Sequence, residues 1–254
     1  MIDLAEQIAA LSDPAAYPDC TRSVEVRQTH ISVVFLADNF VYKVKKPVDY
    51  GFLNFGNLEK RRFFCDEEVR LNRRLAPNIY LGVVPITRCG DQLCFEGDGD
   101  AVEWAVKMRR LPDDATLLYR LQHGEVSCEV MRELGRRIAS FHSAAERGPD
   151  IDPFGKFDVV AGNARENFEQ SSPQIGSTVS QSVFARIESL TDEALTQHRS
   201  LIESRAMRGV TCDTHGDLRL GHVYLFPDRS PPENLIVIDC IEFAERFRFA
   251  DPIS

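Results

Sequence analysis

The sequence predicts an α+β protein in two lobes, the first β-rich with one inserted helix and the second mainly helical. Three observations predict it. Between residues 24 and 110 the apolar residues fall into short runs separated by turn signals. Inside that region, residues 57–75 carry apolar side chains at helical spacing instead. After Leu111-Pro112-Asp113-Asp114 the spacing becomes helical. The expected organisation is therefore an N-terminal extension over residues 1–23, a first lobe over 24–111 and a second over 112–254.

The extension, MIDLAEQIAALSDP, reads as a short amphipathic helix that stops near Pro14. Residues 24–37 and 40–45 read as two strands joined by an Asp38-Asn39 turn. Alternation puts Val41 and Lys43 on one face of the second strand, Tyr42 and Val44 on the other. Pro47 ends that ladder. In the helix over 57–75, Phe64, Leu71 and Leu75 form one apolar line with Glu68 among them. Three more strands are expected at 80–86, 92–95 and 104–108, separated by Gly90-Asp91 and Gly97-Asp98-Gly99 turns. That makes a five-stranded sheet with one helix. The second lobe should hold helices at 117–122, 129–146, 163–170 and 179–207, with loops at 149–162 and 171–180. Gly209 is the expected stop of the last helix.

Composition narrows the function. Of 254 residues, 43% are hydrophobic and 27% charged, as in an ordinary soluble globular protein. The 30 basic and 39 acidic residues give a formal charge of −9, which argues against a nucleic-acid surface. No apolar run reaches bilayer length, and the N-terminus lacks a basic leader region, so no membrane association and a cytoplasmic location are expected. Seven scattered cysteines without a CxxC pair read as reduced thiols. Cys89 and Cys94 flank the Gly90-Asp91 turn and are expected to pack there rather than bind metal.

The chemistry concentrates in His215-Gly216-Asp217-Leu218-Arg219-Leu220-Gly221-His222-Val223 and in the later run Leu235-Ile236-Val237-Ile238-Asp239. Asp217 is followed five residues later by His222, and an apolar strand then ends on Asp239. Phosphoryl transfer needs that order: one carboxylate to accept a hydroxyl proton, then ligands for a cation on the ATP phosphates. Asp217 is thus the candidate base, Asp239 and His222 the candidate metal ligands, and His215 a group that braces the loop. A nitrogen ligand is a poorer match to Mg²⁺ than oxygen. Lys43 is the candidate phosphate anchor, although a solvated edge strand would also explain Lys43, Lys45 and Lys46. Glu68 on the apolar side of its helix needs a cationic partner, which Lys43 would supply, and Glu67 is the alternative. Glu242 reads as either a supporting acid or a surface residue, and Arg246 and Arg248 as a bracing pair. The chain has no G-x-x-x-x-G-K-[ST] and no G-x-G-x-x-G over its first turn. Amides and hydroxyls around Thr29 and Ser32 would then have to meet phosphate.

These motifs resemble the aminoglycoside phosphotransferase family, related to choline kinases and protein kinases. HGDLRLGHV is similar to its catalytic loop, and VIDCIEF to its metal-binding strand. Ala250-Asp251-Pro252 resembles a Gly-Asp-Pro stretch, and Ile138 to His142 the helix that precedes the substrate region. A closer resemblance is to the kinase-like N-terminal half of bacterial proteins that carry a P-loop domain after it. It rests on THISVVFL, VYKVKKP, LNRRLAP and KMRRLP. The resemblance implies a two-lobe protein-kinase-like fold with a C-terminal lobe truncated at Ser254. It implies ATP and Mg²⁺ as cofactors, Lys43 and Glu68 as the phosphate-anchoring pair, Asp217 as the catalytic Asp and Asp239 as the principal metal ligand. Met108, Arg109, Arg110 and Leu111 would form the adenine-binding hinge. His222 stands where the family has Asn. The implied reaction moves the γ-phosphate to a small-molecule hydroxyl, with a P-loop domain as a further partner. A catalytically weak nucleotide-binding or regulatory module is the alternative. A hydrolase with metal held by His215, Asp217 and His222 is a third reading.

Overall fold

The computed structural model describes residues 3–90 and 92–253, apart from the Cys89 side chain. Asp91 of the expected Gly90-Asp91 turn lies outside the described residues. The chain is α+β and divides into two compact units, residues 1–136 with 217–244, and residues 137–216 with 245–254. The first unit therefore extends beyond the boundary expected at residue 111 and takes back the segment that carries Asp217, His222 and Asp239.

The first unit is built on a six-stranded antiparallel sheet. Its strands are β1 (Glu25–Gln28), β2 (Ser32–Leu36), β3 (Phe40–Lys45), β4 (Tyr80–Cys89), β5 (Gln92–Phe95) and β6 (Ala101–Arg109), in the order β1-β2-β3-β6-β4-β5. The sequence predicted five. The expected strand over 24–37 is a hairpin, because the Thr29 hydroxyl accepts from the amides of Ile31 (3.3 Å) and Ser32 (2.9 Å). Satisfied this way, the turn forms without Gly or Asn. Those two amides are thereby engaged, and Ser32 is fully buried, so this turn does not offer the phosphate cradle considered from the sequence.

The helix α1 (Leu4–Leu11) is capped by Asp3, whose carboxylate accepts from the Ala5 amide at 3.0 Å. Its Leu11 packs with Tyr17, Phe35, Tyr42 and Phe95 on one face of the sheet. The helix α2 (Leu58–Asn72) starts at Asn57, whose side chain accepts from the Lys60 amide at 2.8 Å. Its Cys65 and Val69 join Val41, Tyr80, Val106 and Met108 in a second apolar cluster on the other face. β3 is thus covered on both faces and paired on both edges, by β2 and β6. The edge-strand explanation of its lysines does not hold. Lys43 and Lys45 share the face of Val41, which α2 covers.

The rest of this unit is short. The helix α3 (Leu117–Gln122) and the first half of α4 (Cys128–Ala144) follow β6. A two-stranded hairpin near the end of the unit carries Val223–Leu225 and Leu235–Val237, and its Ile236 packs into the α2-side cluster.

The second unit contains the end of α4, then α5 (Phe157–Ser171) and α6 (Gln181–Met207). α5 starts six residues before the expected 163, since Phe157 and Ala161 bury against Leu195 of α6. Packing here overrides the Pro- and Gly-bearing loop reading of 149–162. Two short strands, β7 (Cys212–Asp213) and a partner at Phe249–Ala250, pair antiparallel. Arg248 donates to Asp213 at 2.5 Å and Arg246 to Glu166 at 2.6 Å, the bracing role expected of that pair. Asp251 of the Ala-Asp-Pro run accepts from Arg205 at 2.8 Å.

Candidate functional site

Five buried or half-buried charges alternate in sign across the α2 face of the sheet. Lys43 Nζ lies 2.8 Å from Asp239 Oδ1 and 2.9 Å from Glu68 Oε1. Lys43 donates a directed hydrogen bond to Asp239. Its approach to Glu68 is off line, and Glu68 Oε1 accepts no hydrogen bond. The other oxygen of Glu68 accepts from Lys45 at 2.8 Å, and Lys45 also donates to Glu242. Lys45 and Glu68 are 1% exposed and Glu242 is 7% exposed. Burying such charges is tolerable only because each has a partner of opposite sign.

The row sets its own protonation. Burial by itself would push the Lys43 and Lys45 ammonium groups down. The carboxylates around them outweigh it and hold both above the ordinary lysine range. Glu68 is likewise pushed up by burial, but two lysines hold it below the usual carboxylate range. Asp239 is held far below that range, chiefly by Lys43. Glu242 goes the other way, because burial and the Glu68 charge outweigh Lys45. The thiol of Cys65, enclosed beside the row, is pushed up to about 12 by burial.

Asp239 is fixed from several sides. Its backbone is in the left-handed region, with φ of 65°, an uncommon state for a non-glycine residue that functional sites often hold. Its amide donates to the Tyr80 hydroxyl at 3.2 Å. The next amide, of Cys240, donates to Asn72 Oδ1 at 2.9 Å, and Asn72 in turn donates to the Glu68 carbonyl at 2.9 Å. The preceding amide, of Ile238, donates to the His222 carbonyl at 2.9 Å. So α2 supplies both the carboxylate of the row and the amide that pins the corner beside it.

At the open end of the row, His222 Nε2 lies 3.4 Å from Asp239 Oδ2. The other ring nitrogen, Nδ1, is 2.9 Å from the Asp217 carbonyl oxygen and 3.6 Å from its carboxylate. Arg219 Nε is 3.5 Å from the same carboxylate and 2.9 Å from His222 Nε2. Side-chain exposure is 9% for His222, 41% for Asp239, 47% for Asp217 and 65% for Arg219, so this end faces solvent.

Comparison with known proteins adds length and distribution. No protein-family model matches the chain. It is 32% identical over 231 residues to a Mycobacterium bovis protein and to proteins from two strains of Mycobacterium tuberculosis, all three described as uncharacterized. The match covers 91% of this chain and 44% of each relative. The chain thus spans less than half the length of the curated relatives it matches.

The sequence-predicted residues divide by place. Lys43, Glu68, Asp239 and His222 converge, and Asp217 adjoins His222. Glu67 does not enter the row; it accepts from Arg70 at 2.8 Å along its own helix. Met108 to Leu111 lie two to five residues past Val106, the register partner of Lys43. The amides of Arg109 and Arg110 already donate to the carbonyls of Ile79 and Asn39, each at 2.9 Å. His215 is buried, in the second unit. Sequence reasoning missed Lys45, Asn72 and Tyr80, and left Glu242 open. Two of these had a signal. Lys45 is two residues from Lys43 on one strand face, and Asn72 is one helical turn from Glu68.

The resemblance calls for a divalent cation. Among the described residues, no group of three or more His, Cys, Asp or Glu side chains is arranged to hold one. The pair Asp239 and His222 nonetheless has suitable chemistry. A carboxylate oxygen and an imidazole nitrogen stand side by side, and Lys43 and Arg219 already set positive charge against them. Two donors alone leave the remaining positions of any such ion to groups from outside the chain.

Proposed function

We propose that the chain is an ATP-dependent phosphotransferase of the aminoglycoside phosphotransferase type, with a protein-kinase-like fold, acting on a small-molecule hydroxyl. The observation that carries the reading is the convergence on Lys43 of Glu68 and Asp239, at 2.9 and 2.8 Å, from segments far apart in the sequence. Lys43 has one enclosed partner and one that solvent can reach. An incoming phosphate can take the place of Asp239 at the ammonium, while Glu68 keeps the lysine aimed. Asp239, released from Lys43, and His222 would hold Mg²⁺ or a similar ion. Such an ion, when bound, neutralises charge on the phosphates.

Asp217 accepts the proton of the acceptor hydroxyl as its oxygen attacks the γ-phosphorus. The bond to the β-phosphate oxygen breaks and ADP leaves. Arg219, 3.5 Å from Asp217 and 65% exposed, is free to turn toward a phosphate. The adenine would meet the chain at Met108 to Leu111. With the amides of Arg109 and Arg110 engaged, Leu111 is the edge it would use. A P-loop domain is the proposed partner in a longer chain, in keeping with relatives more than twice as long as the aligned region.

Incubation with ATP and a panel of sugars, amino alcohols and aminoglycosides, read by ADP release, tests the reading. Acceptor-dependent ADP release that Asp217→Asn abolishes is the expected result. ADP release that is unchanged in Asp217→Asn, or absent with every acceptor, contradicts it. One observation favours the nucleotide-holding alternative: Lys43 and Asp239 satisfy each other directly. ATP binding without any transfer would select it.

A further inference from the structure

We infer, on the phosphotransferase reading of the same site, that Lys45 is a positioning residue for the phosphate anchor. It acts through Glu68: by occupying one oxygen of that carboxylate, Lys45 limits how tightly Glu68 holds Lys43 and so keeps Lys43 available to phosphate.

The division of Glu68 between two lysines carries the inference. Glu68 is 1% exposed, so its carboxylate depends on protein partners. Oε2 accepts from Lys45 at 2.8 Å. Oε1 has Lys43 Nζ at 2.9 Å but accepts no hydrogen bond. The directed bond from Lys43 goes to Asp239 Oδ1 at 2.8 Å, and that side chain is 41% exposed. Charge attraction survives poor alignment, whereas a hydrogen bond weakens steeply off line. Lys43 therefore keeps a negative charge behind it while its aligned N–H points to the side that solvent reaches.

Lys45 is built into this arrangement. It is 1% exposed, donates to both Glu68 and Glu242, and has its ammonium 5.0 Å from the centre of the Phe55 ring. The pull of Glu242 leaves Lys45 in reach of one Glu68 oxygen. The backbone of Glu68 is fixed separately. Asn72 donates to the Glu68 carbonyl at 2.9 Å and accepts from the Cys240 amide at 2.9 Å. What Lys45 governs is thus the rotation of the Glu68 carboxylate, not the place of α2.

Without Lys45, Glu68 has to satisfy a buried charge on the one lysine left to it. The carboxylate turns, both oxygens close on Lys43, and the ammonium is drawn inward. A phosphate then competes with an aligned, charge-assisted pair instead of an off-line one.

The test separates positioning from mere support. Calorimetry with a non-hydrolysable ATP analogue and Mg²⁺ is run on the full chain as wild type, as Lys45→Met, and as Lys45→Met combined with Glu242→Leu. The double variant removes one charge of each sign, and apolar groups in place of a buried ion pair are often neutral for stability. Its melting temperature should recover from that of the single variant, while Glu68 still lacks its second lysine. Analogue binding by the double variant should stay weaker than wild type by about fivefold or more. A smaller loss overturns the inference and leaves the phosphotransferase reading standing. No binding to wild type overturns that reading, and the inference with it. Should the double variant not fold, Glu242→Leu alone decides, because it keeps the Lys45–Glu68 bond. Binding within about fivefold of wild type supports the inference, and a larger loss overturns it.

Discussion

The two ends of the charged row differ in their access to water, and the difference separates support from exchange. At the closed end, Lys45, Glu68 and Glu242 are all at most 7% exposed, and Lys45 donates to both carboxylates. At the open end, Asp239, Asp217 and Arg219 have side-chain exposures of 41%, 47% and 65%. The closed end can only hold its charges in place. The open end can trade a protein partner for a ligand. A single strand supplies both, since Lys43 and Lys45 are two residues apart on one face of β3.

The largest expected effect lies at the closed end. Lys45→Met leaves Glu68 and Glu242 as neighbouring buried carboxylates, and urea denaturation should show a loss of about 3–5 kcal/mol. A loss below about 1 kcal/mol, the level of an exposed pair, would erase the distinction between the two ends. Asp239→Asn should cost less stability, about 1 kcal/mol, because water already screens that carboxylate. Its larger effect should be on ligand binding: the rise in melting temperature given by ATP with Mg²⁺ or Mn²⁺ should vanish.

The closed end should also show opposite pH signatures from its two glutamates. Glu68 has a folded pKa below its unfolded value, so its contribution is full above the unfolded value and is lost as pH falls through the folded one. Glu242 has a raised folded pKa, so its contribution is full below the unfolded value and is lost as pH rises through the folded one. Glu242→Gln should therefore flatten the decline in stability on the alkaline side of the ordinary glutamate range and leave the acid limb in place. Urea midpoints across that range check it. The smallest effect is expected at Arg219. Arg219→Ala should change stability by no more than about 0.5 kcal/mol, as for an exposed residue outside the core.

Much of the open end was legible in the sequence. The order of Asp217, His222 and the apolar run ending on Asp239 singled out residues that the fold gathers. Helical spacing favoured Glu68 over Glu67, and Glu68 is the one beside Lys43. The closed end was harder to read. In V-Y-K-V-K-K, three lysines among six residues look like a solvated strand. Only pairing by β2 and β6 together with cover from α2 buries Lys45, and those contacts are remote in sequence. Glu242 follows the same logic, since its partner lies 197 residues earlier. The turn at Thr29 is expected, but the two strands that it joins count as one in the sequence reading; that count and the early start of α5 at Phe157 are the places where local signals fell short. A side-chain hydroxyl in the first and tertiary burial in the second supplied what local turn and loop signals did not.

Calorimetric titration of a non-hydrolysable ATP analogue, with a divalent cation present, into wild type and Lys43→Met tests the account most directly. Lys43→Met leaves Glu68 paired with Lys45, so the variant should remain folded. The account predicts binding to wild type and at least about a tenfold loss in the variant, as expected when a phosphate-anchoring charge is removed. Equal affinity in the two proteins would contradict it.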